Sequence, residues 1–243
     1  MLEIFGRTAD LFRRLKRLAS VRTEPRWLAI ARRGRSSGMT QPLGFPNWEE
    51  LYQNGTIEKL PWYWPTLDPD LDAALGRHGL LAGRMLDQGT GPGTQAIALA
   101  LRGFVVTATD VSAAALAYAG RMAKERSAQV SFVQDDILAS RLTGPYDVIF
   151  DRGCFHVLEP EQRAPYSETM HRLLAPSGWL FVKTFSHLQP GRHGPHRFAP
   201  DDLRRVFEGS FDVVEIADTV YQGQLDPYPK ALFATLRRTA RRT

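Results

Sequence analysis

The sequence predicts an α/β domain, a doubly wound and mostly parallel sheet of seven strands with a helical extension at its N-terminus. Three observations carry this. From residue 84 onward, short β-branched or apolar runs alternate with stretches of helical periodicity. Glycines and capping residues stand at the junctions between them. Three successive strand candidates also end at acidic residues, Asp87, Asp110 and Asp135-Asp136, on the edge where open α/β sheets take up ligands.

Taken in order, Arg84–Gln88 reads as a short buried strand, followed by a glycine loop and a helix over 93–102 that Gly103 is placed to end. Residues 104–109 form the second strand, and Ser112 is placed to cap an alanine-rich helix. Residues 130–133 form the third strand and 146–150 the fourth, which ends at Asp151. Helical periodicity returns over 161–174 and stops at "APSG", and 179–184 is the fifth strand. Pro200–Phe207 is a short helix, and 211–216 and 231–236 supply the last two strands.

The 243 residues are enough for one large core, and 43% hydrophobic and 23% charged residues are ordinary for a globular chain. A single cysteine, Cys154, excludes an internal disulfide and a cysteine zinc cluster and suits a reducing, cytoplasmic setting. No apolar run approaches the roughly 20 residues needed to span a bilayer. The formal charge of +5 is unevenly placed. Residues 1–38 hold ten of the 31 Lys/Arg and three of the 26 Asp/Glu, a net of +7, which leaves −2 for the rest. Phe5, Leu11, Phe12, Leu15, Leu18 and Ala19 share one helical face in that arm, opposite a basic one. It reads either as a helix for an anionic membrane or nucleic acid, or as a solvated or partner-packed extension, and the second reading is preferred because such runs are common. The main domain is expected over 39–243, with 39–80 as an aromatic lead-in covering the site. Its near-neutral charge argues against nucleic acid as partner.

The loop "LDQGTGPGTQA" decides the ligand. A dinucleotide fingerprint needs a small sixth residue, where Thr94 stands, and a P-loop needs a lysine that is missing. What remains is Asp87, Gly89, Gly91 and Gly93. An acid just before the glycines repels a pyrophosphate and suits an amine. Asp110 is placed to accept both hydroxyls of a ribose, and Asp135-Asp136 suits the amine of an adenine. Amine, ribose and adenine without phosphate describe S-adenosylmethionine.

"MLDQGTGPGTQAIALALRGFVVTATDVS", "VQDDI", "YDVIFDRG" and "LLAPSGWLFV" resemble the successive motifs of class I S-adenosylmethionine-dependent methyltransferases. The resemblance runs from about residue 48 to residue 236. It implies that Asp87 and Gly89 line the methionine portion of the cofactor, Asp110 the ribose and Val111 the adenine. It also implies that Asp136 and Ile137 border the adenine, with Asp135 and Asp136 alternatives for its amine, and that Asp151 stands at the mouth of methyl transfer.

At "DRGCFHVL" the chain lacks the proline pair of the adenine- and amino-N-methylating enzymes and the Pro-Cys of the cytosine-C5 enzymes. Together with "NWEELYQNGTIEKLPWYWP" it resembles thiopurine methyltransferases and their tellurite-, halide- and thiol-methylating relatives, although "LPWYWP" and the short run after Gly153 depart from them. The implied acceptor is a small molecule, a thiol or another soft nucleophile. Arg152 either stabilises an anionic acceptor or forms a structural ion pair with Asp151 or a helix carboxylate. His156 is either a general base or a packed histidine, and Cys154 a small apolar group. The loop "SHLQPGRHGPHRFAP" offers His193 and Arg197 as cationic groups over the substrate, and its histidines lack the spacing of a metal site, so no metal is expected. Trp48, Tyr52, Trp62 and Trp64 form the opposite wall or pack the lead-in onto the domain. Two other functions fit the same residues: a non-catalytic S-adenosylmethionine-binding module docked by its basic arm, and an RNA or protein methyltransferase.

Overall fold

The computed structural model describes residues 47–191 and 194–239. The basic arm at 1–38 and His193 lie outside the described residues. Strands β1 (Arg84–Gln88), β2 (Val105–Asp110), β3 (Val130–Gln134), β4 (Tyr146–Arg152) and β5 (Leu174–Ser186) run parallel. The two-residue β6 (Arg197–Phe198) pairs with the end of β5. β8 (Lys230–Arg238) lies antiparallel between β5 and β7 (Phe211–Val220), giving the order β3-β2-β1-β4-β5-β8-β7. Strand order reverses between β1 and β4, which opens a crevice beyond their carboxyl ends.

Helices α1 (Trp48–Asn54) and α2 (Pro69–Arg77) precede the sheet. α3 (Thr94–Leu101) follows β1, α4 (Ala113–Glu125) follows β2, and α5 (Pro160–Leu173) and α6 (Pro200–Phe207) flank β5 in sequence. Alternation along the strands divides the core in two. Met85, Val148, Phe150 and Phe181 pack with Leu71 and Leu75 of α2 and Leu99 of α3. Leu86, Ile149, Leu180 and Val182 pack with Tyr166 and Met170 of α5 and Leu203 of α6. Each such side chain contributes about 1.5–3 kcal/mol when fully buried, so both faces of the sheet are anchored and the loops at its carboxyl edge sit on rigid strands.

The expected strands are all present, with β2, β3, β4, β5, β7 and β8 ending one to four residues later than the periodicity implies. "APSG" does not separate α5 from a later strand. β5 begins at Leu174 itself, with Ser177 at φ 60° and a register shift between Tyr146 and Val148 absorbing the irregular stretch. α1 and α2 are additional to the sequence reading. α2 starts where Asp68 accepts from the Asp70 amide at 3.0 Å and Pro69 occupies the first turn.

Candidate functional site

The glycine loop leaves β1 with Gly89, Gly91 and Gly93 at φ 65°, 51° and 75°, a region that side chains rarely adopt. Space enforces the same choice. A Cβ on Gly91 would lie 2.5 Å from the Tyr52 hydroxyl, and one on Gly93 would lie 2.6 Å from the Ala119 Cβ of α4. Asp87 is buried and turned into this loop, where its carboxylate accepts from the Thr90 hydroxyl at 2.5 Å. Burial pushes its pKa up to about 6 against that bond. Its carboxylate thus braces the glycine loop through Thr90.

Asp110 ends β2 with one carboxylate oxygen accepting from the Gly91 amide and the other from the Ser112 amide, both at 2.9 Å. Burial raises its pKa. Val111 beside it is 47% exposed, open to whatever lies along the β2 tip. Asp135 and Asp136 part company after β3. Asp135 is buried, accepts from the Arg141 amide at 3.1 Å, and has its second oxygen without a partner. Asp136 is exposed, caps the short 3₁₀ turn Ile137–Ala139 by accepting from the Leu138 amide, and acts electrostatically on Cys154 across the crevice. Ile137 is buried beneath that turn.

The three groups expected at the mouth are otherwise engaged. Asp151 is fully buried. It accepts from the amides of Gly153, Cys154 and Phe155 and from the Tyr166 hydroxyl at 2.7 Å. It folds the "DRGCF" turn onto itself, and burial lifts its pKa to about 6. The Arg152 side chain is 7% exposed and donates to Asp68 at 2.8 Å, to the Trp62 carbonyl at 3.0 Å and to the Gln222 carbonyl at 2.6 Å, with its guanidinium 4.6 Å from the centre of the Tyr221 ring. Arg152 thus makes the structural ion pair, and its partner is the helix carboxylate Asp68, the cap of α2, and not Asp151. His156 is buried against Tyr221 and Phe185, and its Nδ1 accepts from the Phe185 amide at 3.3 Å, which places the proton of the neutral ring on Nε2. Burial lowers its pKa to about 3, far below what a general base needs near neutrality. Cys154 packs over Gly89 with its thiol pKa raised by burial, as a small apolar group does.

His156 makes a pH prediction. Its pKa is about 3 in the folded protein against 6.5 for an unperturbed imidazole, so between those values the unfolded chain binds the extra proton. The stability it contributes is fully present above about pH 6.5 and is lost as pH falls. His156→Phe therefore gains on the wild type under acidification, by up to about 1.4 kcal/mol per pH unit. Urea unfolding from about pH 4 to pH 7.5 measures this, and a difference constant with pH would contradict the neutral buried ring.

The lead-in divides between wall and core. Tyr52 and Tyr63 are buried in a cluster with Leu51, Leu60 and Ala115. Trp62 donates from Nε1 to the Tyr52 hydroxyl at 3.1 Å and meets Trp48 edge-on at 5.9 Å. Trp64 meets Tyr228 edge-on at 6.2 Å, away from that cluster. Packing thus accounts for Trp48, Tyr52 and Trp62, although Tyr52 also reaches the glycine loop. Arg197 donates from Nε to the Gln189 carbonyl at 2.9 Å, closing its own loop.

A buried polar cluster was not legible from the motifs. Lys183 on β5 is fully buried, and its ammonium donates to both Asp68 oxygens at 3.0 and 2.8 Å, to Asp70 at 2.6 Å and to the Gln222 side chain at 2.6 Å. With Arg152 it ties the lead-in, β4, β5 and the loop after β7 together at the crevice. Tyr221 roofs the cluster and donates to the Arg152 carbonyl at 2.6 Å.

Comparison with known proteins gives four relevant likenesses. A family model described as a methyltransferase domain matches residues 85–178. Thiocyanate methyltransferase 1 of Arabidopsis thaliana is 32% identical over 137 residues, which is 56% of this chain and only 59% of that protein's length. The 2-heptyl-1-hydroxyquinolin-4(1H)-one methyltransferase of Mycobacteroides abscessus is 30% identical over 180 residues, covering 70% of this chain and 78% of the other. Among solved structures, the Burkholderia thailandensis 1,6-didemethyltoxoflavin-N1-methyltransferase with bound S-adenosylhomocysteine superposes at a TM-score of 0.63 with 21% identity, over 84% of this chain and 95% of that one.

Proposed function

Because the chain belongs to the class I S-adenosylmethionine-dependent methyltransferases, we propose that the crevice between β1 and β4 delivers the cofactor's methyl group to a small, soft nucleophile that arrives already ionised. Asp110 is the observation that carries the cofactor's placement. Each of its oxygens accepts one backbone amide and keeps a lone pair for a ribose hydroxyl. We assign the adenine amine to Asp136, whose carboxylate is exposed and acts electrostatically on Cys154, while Asp135 holds the 135–141 turn. The Gly89–Gly93 backbone runs beside the methionine portion, with Val111 and Ile137 bordering the adenine.

The cofactor supplies an electrophilic methyl group on a sulfonium. The part left to this chain is to hold donor and acceptor in line and keep water out. Asp151, Arg152 and His156 act by positioning: Asp151 shapes the turn after β4, Arg152 ties that turn to the lead-in, and His156 braces β5. None of the three is set to remove a proton, which favours an acceptor whose own pKa lies at or below ambient pH. A thiocyanate-like or acidic thiol anion meets that condition, and the Arabidopsis relative supports it. A hydroxylated heteroaromatic is the second reading, supported by the Mycobacteroides relative.

A methylation screen with labelled cofactor across thiocyanate, aryl and alkyl thiols, hydroxyquinolinones and amines tests the proposal. Turnover is expected to follow the ionised fraction of the acceptor as pH is varied. Preference for amines, or a rate indifferent to acceptor pKa, would overturn it.

A further inference from the structure

α1 is seven residues long, too short to persist without tertiary support. Its apolar support is the Leu51–Tyr52 contact with Ala115 and Tyr63. Among the described residues its polar contact with α4 is made by Glu49. That carboxylate accepts from the Ser112 hydroxyl at 2.7 Å and from the Ala114 amide at 3.1 Å, and its other oxygen accepts from Gln53 at 2.8 Å. It therefore sits on the first turn of the 13-residue α4, where a negative charge is favoured by the exposed amides and the helix dipole.

Ser112 connects this contact to the crevice. Its hydroxyl caps α4 at the Ala115 amide while donating to Glu49, and its own amide donates to Asp110. One turn along α1, the Tyr52 hydroxyl closes over Gly91, whose amide donates to the other Asp110 oxygen. Both sides of the Asp110 carboxylate are thus linked to the same short helix.

Resting on the cofactor placement above, we propose that Glu49 is a positioning residue that latches α1 over the cofactor crevice, so that S-adenosylmethionine and its demethylated product exchange when this carboxylate leaves the first turn of α4. Glu49 touches α4 and Ser112 and not the reacting atoms, so it governs exchange and not the transfer step. The like charge of Glu49 also acts on Asp110, which means that departure of the latch alters the carboxylate assigned to the ribose.

The test combines hydrogen exchange of the full chain with the dissociation rate of S-adenosylhomocysteine for the wild type, Glu49→Ala, Glu49→Gln and Glu50→Ala. Glu50 stands next on the same helix and controls for helix propensity. In Glu49→Ala, amide exchange over 47–55 and product dissociation are both expected to rise about tenfold, the scale of a charge-assisted contact at a helix terminus. Exchange in β1 and β4 stays at the wild-type rate. Glu49→Gln, which keeps an acceptor oxygen without the charge, falls between, and Glu50→Ala matches the wild type. Equal dissociation rates for Glu49→Ala and Glu50→Ala would overturn the latch and leave the cofactor placement standing. Failure of the wild type to bind the product would overturn both.

Discussion

Lys183→Met is expected to lower the unfolding free energy by about 3–5 kcal/mol, and so to lower the melting temperature by roughly 6–20 °C for a domain of this size. The ammonium is fully buried and bonded to four oxygens. Its loss strands Asp68, itself fully buried, with Arg152 as its remaining cation. Burial alone pushes the Asp68 carboxyl up, and the charges of Lys183 and Arg152 outweigh that and hold it below its ordinary value. Methionine fills the volume but supplies no donor, so the cost is an uncompensated charge and not a cavity. That distinction is checkable. Asp68→Asn in the Lys183→Met background should recover part of the loss, because the stranded charge is removed together with its partner. Denaturant unfolding of the two single variants and the double variant measures the coupling, and a loss under about 1 kcal/mol with no coupling would contradict this account.

The partners in that cluster lie beyond the reach of any local sequence pattern. The strands, the glycine loop and the Ser112 cap are local, each fixed by a few neighbouring residues, and they were legible for that reason. α2 carries a local signal as well, Asp68-Pro69 followed by Leu71, Ala74 and Leu75 at helical spacing. Lys183 stands in the apolar run "WLFVKTFS", and a lysine inside a strand buried on both faces requires a carboxylate partner. The partner lies 115 residues away in sequence, and no local pattern names it. Arg152 is the same case, since its orientation toward Asp68, Trp62 and Gln222 depends on how three distant segments meet. Asp151 is a different case. Its type and place at the end of β4 were read correctly, but the turn after it bends back and uses both oxygens, a conformation that composition does not reveal. Asp110 was legible in place, but its two amide partners were not.

Those two amides set the expected result for Asp110→Asn, a loss of S-adenosylmethionine affinity of about a hundredfold or more by titration calorimetry. An ionised carboxylate accepts from Gly91 and Ser112 at once. A carboxamide offers one oxygen and one NH₂ group, so whichever way it turns, a donor faces a donor at one of the two amides. Each charged bond given up to a ribose hydroxyl costs about 1.5–3 kcal/mol, and the proposed placement gives Asp110 two of them. The sum exceeds about 3 kcal/mol, and each 1.4 kcal/mol is a factor of ten. Asparagine should therefore weaken binding nearly as much as alanine, despite its matching shape. The stability of the free protein should move less, because neutralising Asp110 also relieves the burial that raises its pKa. Affinity lost with the fold kept at Asp110, against the fold weakened at Lys183, separates the group that meets the cofactor from the group that holds the walls. Affinity within a few fold of the wild type in Asp110→Asn would remove Asp110 from the cofactor site.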